Sequence, residues 1–73
     1  MSSLDKMKLL MEFDRKGSKL KITSVRDEIF ICRLHAPAED EEDWAYDIIT
    51  LENPPRHFIL ECNYIKSIEE LSE

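Results

Sequence analysis

The sequence contains a single glycine, Gly17, among its 73 residues, and this scarcity argues against several chemistries. A loop that cradles phosphate needs several glycines, and a nest of backbone N–H groups for an oxyanion needs similar freedom. A calcium-binding loop usually has a glycine at its sharp bend. We therefore expect no phosphate loop, no metal, no cofactor and no catalytic centre. The chain is not expected to be an enzyme.

Long apolar runs are also missing, and cysteine is scarce. No stretch reaches the roughly 18 consecutive apolar residues of a membrane-spanning helix, and no secretory signal is recognisable. We therefore expect a cytoplasmic protein without membrane contact. The two cysteines, Cys32 and Cys62, are expected to be reduced thiols, and a single bridge between them stays open as an alternative.

Basic residues are outnumbered by acidic ones, 10 to 16, which gives a net charge of −6. This charge disfavours nucleic acid and anionic membranes as partners. The charges are unevenly distributed, because residues 6–26 hold seven of the ten lysines and arginines, while residues 39–43 and the final IEELSE are acidic. A chain this short forms one domain, 1–73, with a modest core, and self-association is a natural supplement to its stability.

The N-terminal part of the chain has a helical rhythm. Apolar residues recur at spacings of three and four from Leu4 to Met11, which predicts a helix over residues 3–16. Gly17 follows where helices commonly end in a left-handed conformation.

After Gly17 the period of the apolar residues changes to two, which is typical of strands with one solvent-exposed face. Strands are predicted at SKLKITSV, IFICRLHA, WAYDIITLE and HFILECNYI, and IKSIEELS is a last strand, with or without a helical turn. The segments VRDE and NPPR predict turns. Short connections favour antiparallel pairing. The expected fold is mainly β: an N-terminal helix, then a five-stranded, strongly bent, antiparallel small open barrel over 18–70, with an acidic loop at 38–43. The predicted core is Leu4, Met7, Leu10, Leu20, Ile22, Phe30, Cys32, Leu34, Ile48, Phe58, Leu60 and Ile65.

This order resembles that of the Sm-like proteins, in which a helix precedes five bent strands that form a small open barrel. LDKMKLLMEFDRKGSKLKI resembles the helix, loop and first strand of that family, and CNYIKSIEEL resembles its fourth and fifth strands, which meet at a tight turn. The resemblance implies the barrel and a ring-like or dimeric assembly through edge strands. Other small five-stranded barrels fit the pattern nearly as well.

The RNA site of the Sm-like family is not carried over to any residue of this chain. The family uses an aspartate and an asparagine after the second strand and an arginine–glycine pair near the end. Here DWAYD contains Asp43 and Asp47 but no asparagine, and ECNY contains neither arginine nor glycine.

The segment HAPAEDEEDWAYD combines five consecutive acidic residues with two aromatic residues. The acidic run is either a solvated turn between two strands or part of a recognition surface for a basic partner. Aromatic side chains beside charge are typical of binding hot spots. The candidate partner-binding residues are Glu39, Asp40, Glu41, Glu42, Asp43, Trp44 and Tyr46.

Two further groups of residues suggest other functions, metal binding and nucleic-acid binding. Cys32-x-x-His35 and His57-x₄-Cys62 contain ligand types that zinc prefers, but residues three or five apart on a regular strand face opposite sides. No zinc site is therefore expected. For nucleic acid, the candidate contacts are Lys19, Lys21 and Arg26, with Tyr46, Phe58 and Tyr64 available for stacking on bases where exposed.

We therefore predict a non-catalytic, small-barrel protein-interaction module that self-associates and binds a protein with a basic surface through its acidic loop and adjacent aromatics. Two alternatives remain open at this point. One is an Sm-like RNA-binding protein, although the net charge disfavours RNA. The other is an acidic mimic of nucleic acid, of the kind that phage-encoded inhibitors use against a host protein.

Overall fold

The computed structural model describes residues 2–39 and 43–71 of the chain, without the side chain of Glu39. The prediction of a mainly β chain with one N-terminal helix and five antiparallel strands is confirmed for these residues. The elements are helix α1 (Ser3–Lys16), strands β1 (Leu20–Ser24), β2 (Ile29–Glu39), β3 (Trp44–Thr50) and β4 (His57–Glu61), a 3-10 turn (Cys62–Tyr64) and strand β5 (Ile65–Glu70).

Helix α1 begins and ends at the residues that its sequence favours. The Ser2 hydroxyl accepts the backbone N–H of Asp5, and the Asp5 carboxylate accepts that of Ser2, so both form a capping box. Gly17 adopts the left-handed conformation, with φ of 68°, and its N–H donates to the carbonyl of Asp14. The predicted bounds of the helix are therefore confirmed.

The five strands form one open sheet in the order β4-β3-β2-β1-β5, and all neighbours are antiparallel. The chain turns between β1 and β2 around Ser24, whose hydroxyl accepts the N–H groups of Arg26 and Glu28. Between β3 and β4 the NPPR segment turns with a cis Asn53–Pro54 bond. Strand β2 is longer than predicted, because its pairing with β3 continues through Pro37 and Ala38, and the connection after it is correspondingly shorter than the predicted 38–43 loop.

One face of the sheet, called the inner face, carries the core and packs against α1. Eight predicted core residues are buried in the core formed by this face and α1, and Phe30, Leu34 and Phe58 are partly buried against them. The eight are Met7, Leu10, Leu20, Ile22, Cys32, Ile48, Leu60 and Ile65. The prediction for Leu4 is wrong, since its side chain is 50% exposed. With about 100° of rotation per residue, Leu4 and Met11 lie on the flank of the helix, well away from Leu10.

Polar contacts add to the apolar packing between α1 and the sheet. The Lys6 ammonium donates to the carbonyls of Cys62 (3.0 Å) and Ile65 (2.7 Å), so it caps the end of the 3-10 turn. Near the other end of the helix, the Arg33 guanidinium donates to the Gly17 carbonyl. Both ends of α1 are therefore fixed to the sheet. Within the described part of the chain, no helix has the length and apolarity required to cross a bilayer.

Candidate functional site

An apolar groove of about 320 Å³ lies between helix α1 and the β2–β3 hairpin and is here called the Trp44 groove. Its walls are Met7 and Met11 from the helix, Pro37 and Ala38 from β2, and Trp44 from β3. Trp44 is 45% exposed and Met11 is 51% exposed, so a large indole and a flexible thioether are both accessible. A concave apolar surface with an accessible aromatic ring and a methionine can receive an apolar side chain of a partner.

The register of the hairpin explains why the groove forms at this place. Trp44 is opposite Glu39 in the last pair between β2 and β3, and it continues the inner-face row that includes Tyr46 and Ile48. Tyr46 and Ile48 are covered by α1 and the rest of the core. Trp44 lies where this cover ends, so its ring is left against the flank of the helix that carries Met11.

The structure describes only the two ends of the acidic run. Glu39 ends β2, and Asp43 immediately precedes β3, so the run connects the two strands at the end of the hairpin that carries Trp44. The predicted partner contacts Asp40, Glu41 and Glu42, like the side chain of Glu39, lie outside the described residues.

Asp43 also has a structural role. Its carboxylate accepts the backbone N–H of Asn63 at 2.7 Å, in the 3-10 turn between β4 and β5. The Ser3 hydroxyl donates to the side-chain oxygen of Asn63 at 2.9 Å. The acidic run is therefore tied at its C-terminal end to the same turn that receives the start of α1.

The prediction that Tyr46 belongs to the contact surface is wrong. Its side chain is 1% exposed, and its hydroxyl donates to the carboxylate of Asp14 on α1. Burial, together with the hydrogen bond to Asp14, raises the pKa of the Tyr46 phenol. The alternation on β3 could have indicated this, because Tyr46 and the core residue Ile48 are two apart and share a face.

The structure does not unite the predicted basic contacts into one patch. Lys19 precedes β1, whereas Arg26 lies in the turn after it, so these two residues are at opposite ends of the strand. Lys21 is directly opposite Glu69 on β5. The basic stretch thus runs beside the acidic C-terminal strand, an adjacency that only the β1–β5 pairing produces.

An ion pair joins the basic stretch to the C-terminal strand. The Lys16 ammonium is 2.8 Å from the Glu70 carboxylate, which also accepts the Ser18 hydroxyl at 2.5 Å. These two hydrogen bonds lower the pKa of Glu70. The carboxylate therefore stays charged beside the lysine over a wider pH range than an isolated glutamate would.

The aromatic residues suggested for base stacking are only partly accessible. Tyr46 is buried, while Phe58 and Tyr64 are half-buried and pack against the core. No cluster of at least three histidine, cysteine or acidic side chains suited to a metal ion occurs among the described residues.

A contact that the sequence did not indicate joins the two histidines on the opposite, outer face of the sheet. The rings of His35 and His57 meet edge to face, with centroids 5.6 Å apart, and His57 Nδ1 is 3.6 Å from a carboxylate oxygen of Asp47. His35 lies at an irregularity in the β2–β3 register, between Leu34 and Ala36. The three residues meet only because of the pairing of β2, β3 and β4, so spacing along the chain gives no signal for them.

Both cysteines are free and buried in the core. Burial raises the pKa of the Cys32 thiol to about 11. Burial also raises the pKa of Cys62, and the negative charge of Asp43 adds to this effect. Since the thiolate is the reactive form, both side chains should be inert near neutral pH.

We therefore predict that Ellman's reagent reacts slowly with the native protein near neutral pH and rapidly with both thiols in concentrated guanidinium chloride. The reason is that unfolding exposes the thiols and returns their pKa values to the ordinary range. Absorbance at the reagent's thiolate band measures both reactions. Rapid labelling of the native protein, or an intact mass showing a disulfide, would contradict the assignment.

Comparisons of the chain with protein-family models, with curated proteins and with solved structures find no match. The function has to be inferred from the surfaces of the chain itself. Among these, the Trp44 groove combines exposed apolar side chains with a neighbouring run of negative charge.

Proposed function

We propose that this chain is a non-catalytic protein-interaction module that binds a basic segment of a partner protein in the Trp44 groove. The observation that carries the proposal is the position of the exposed Trp44 ring, between an apolar groove and the acidic run. The two free thiols are of the kind that proteins of the reducing cytoplasm contain, and we place the module in that compartment.

The groove and the acidic run favour one kind of partner. Met11 and Trp44 offer an accessible apolar contact, and methionine adapts to differently shaped side chains. The run of five acidic residues from Glu39 to Asp43 raises the local concentration of cations. A segment that places a large apolar side chain between lysines or arginines matches both features.

Trp44 is expected to supply most of the affinity. Tryptophan is enriched among hot-spot residues because it buries a large, rigid surface at a low entropic cost. The charges beside it contribute mainly to the association rate and to the choice of partner.

The two alternative functions have less support. An RNA-binding role through Lys19 and Lys21 is disfavoured by Glu69 and Glu70, which lie beside the basic stretch. An acidic mimic of nucleic acid would need a rigid array of carboxylates, and the centre of the acidic run lies outside the described residues.

For the fold, we propose that the open sheet is the bent wall of an Sm-like barrel. The order of one helix and five strands, with a tight turn between β4 and β5, supports this proposal. The rings of Phe30 on β2 and Phe58 on β4 also support it, because they meet at 5.4 Å although β3 lies between their strands. A strongly bent sheet would bring two side chains on these strands together in this way.

The binding proposal is tested with a capped Lys-Lys-Leu-Leu-Lys-Lys peptide and isothermal calorimetry. We expect saturable binding that weakens with added salt, because the acidic run attracts the lysines. Trp44→Ala should weaken binding by about 10-fold or more. Trp44 is the only tryptophan, so its fluorescence provides an independent readout in the unaltered protein.

Matched controls distinguish binding in the Trp44 groove from nonspecific hydrophobic binding. Met11→Ala should weaken binding, whereas Ile59→Ala should not, since Ile59 is 67% exposed on the outer face of the sheet. A peptide with glutamate in place of lysine should not bind. Equal losses for Met11→Ala and Ile59→Ala, or binding of oligouridylate in preference to the peptide, would refute the proposal.

We also propose that the chain self-associates through its edge strands. Within the described residues, β4 and β5 each pair on one side only, and unpaired edges are templates for another strand. An antiparallel alignment of β4 with β5 of a second copy, with Phe58 opposite Ile68, places His57 opposite Glu69 and Arg56 opposite Glu70. The positively charged Arg56 then faces a carboxylate on the other edge, and the His57 ring lies beside a second carboxylate.

Light scattering after size exclusion should therefore show a mass that rises with protein concentration. His57→Glu or Glu69→Lys alone should weaken association by about 2- to 5-fold, because each brings like charges together at the exposed contact. The double variant should recover most of the loss, since the charges are exchanged. A concentration-independent monomer mass, or no recovery in the double variant, would contradict edge pairing.

A further inference from the structure

A second pocket, of about 470 Å³, lies between β4 and the β1–β2 turn. Three half-buried aromatic side chains, Phe30, Phe58 and Tyr64, contribute to its walls. It is separate from the Trp44 groove, because Trp44 begins β3 whereas this pocket reaches Glu52, just beyond the end of β3.

Two carboxylates lie at this aromatic pocket, Glu28 from the β1–β2 turn and Glu52 from the β3–β4 connection. Glu28 is held in place, because it accepts hydrogen bonds from the Tyr64 hydroxyl and, at 3.2 Å, from the Ser24 hydroxyl. The hydrogen bond to Glu28, with a smaller effect of burial, raises the pKa of the Tyr64 phenol. The same hydrogen bond orients the Tyr64 ring in the wall of the pocket.

The pocket already contains a cation from its own chain. The guanidinium carbon of Arg56 is 5.2 Å from the centroid of the Phe58 ring, within the range of cation–π contacts. Arg56 itself is exposed, so its side chain can leave the ring without uncovering the core. This contact demonstrates that a guanidinium fits against Phe58 with carboxylates nearby.

We propose that the aromatic pocket receives an arginine or lysine side chain from a partner protein, and that Arg56 is an internal competitor that the incoming cation displaces. Aromatic faces combined with carboxylates are the chemistry that recognises organic cations. The net charge of the chain, −6, favours a cationic rather than an anionic occupant. The site does not depend on the Trp44 groove, and it would give the module a second, independent contact with a basic partner.

The experiment is an NMR titration of isotope-labelled protein, at a concentration where light scattering shows a monomer, with N-acetyl-arginine methylamide as the probe. Weak, saturable shifts are expected for residues around Phe58 and Tyr64. Arg56→Ala should tighten binding by about 5-fold, because the competitor is removed. Lys8→Ala is the matched control, since it removes one positive charge from the exposed surface of α1 and should have little effect.

Two further variants test the two parts of the pocket. Phe58→Leu keeps an apolar side chain but removes the aromatic face, and Glu52→Gln changes an exposed carboxylate that the core does not require; each should weaken binding by about 2- to 5-fold. Trp44→Ala should leave this binding unchanged, which separates it from the groove proposal. Equal affinities for Arg56→Ala and Lys8→Ala, equal binding of N-acetyl-glutamate methylamide, or tighter binding of free arginine than of the capped probe would overturn the assignment.

Discussion

Leu10 of helix α1 is fully buried against the inner face of the sheet, and the rest of the fold is arranged around this contact. Burial of one leucine side chain contributes about 1.5–3 kcal/mol, which is a large share of the stability of a domain this small. The hydrogen bonds of Lys6 to the 3-10 turn and of Tyr46 to Asp14 fix the direction of the helix over the sheet. Without α1, the inner face would be exposed to water.

The same packing creates the surface that we propose as functional. Because Met7 and Leu10 of α1 pack against the sheet, Met11 lies on the flank of the helix and faces the end of the β2–β3 hairpin. Trp44 meets it there, just beyond the covered part of the inner face. The groove is therefore a consequence of helix docking, and the acidic run enters at the same end because it connects the two strands of the hairpin. Position and charge together favour a basic partner.

Local patterns in the sequence predict the helix and the strands well, whereas contacts between distant segments cannot be predicted from such patterns. The change of period at Gly17 located the helix and the first strand, because side-chain spacing and the helix cap are local properties. The helical pattern of α1 defines a broad apolar face that includes Leu4, and only the position of the sheet selects which part of that face is buried. Tyr46 follows the acidic run in the sequence, which favours a contact surface, whereas strand alternation puts it on the buried face with Ile48.

The candidate binding surfaces could likewise be predicted from the sequence only in part. Trp44 and the acidic run are neighbours in the sequence, so the sequence alone predicts that they share one surface. Three other features depend on packing, register or a long connection. They are the wall that Met11 contributes, the position of Lys21 opposite Glu69 and the approach of Arg56 to Phe58. No spacing rule reports these contacts, because each is set by how the elements pack or pair.

The most direct test of this account compares Leu10→Ala with Leu4→Ala in urea unfolding followed by circular dichroism. The account predicts that Leu10→Ala lowers the free energy of unfolding by about 2–5 kcal/mol, since it leaves a cavity between helix and sheet. Leu4→Ala, on the exposed flank, should change it by no more than about 0.5 kcal/mol. Similar losses for the two variants would contradict the docking of α1 on which the groove depends.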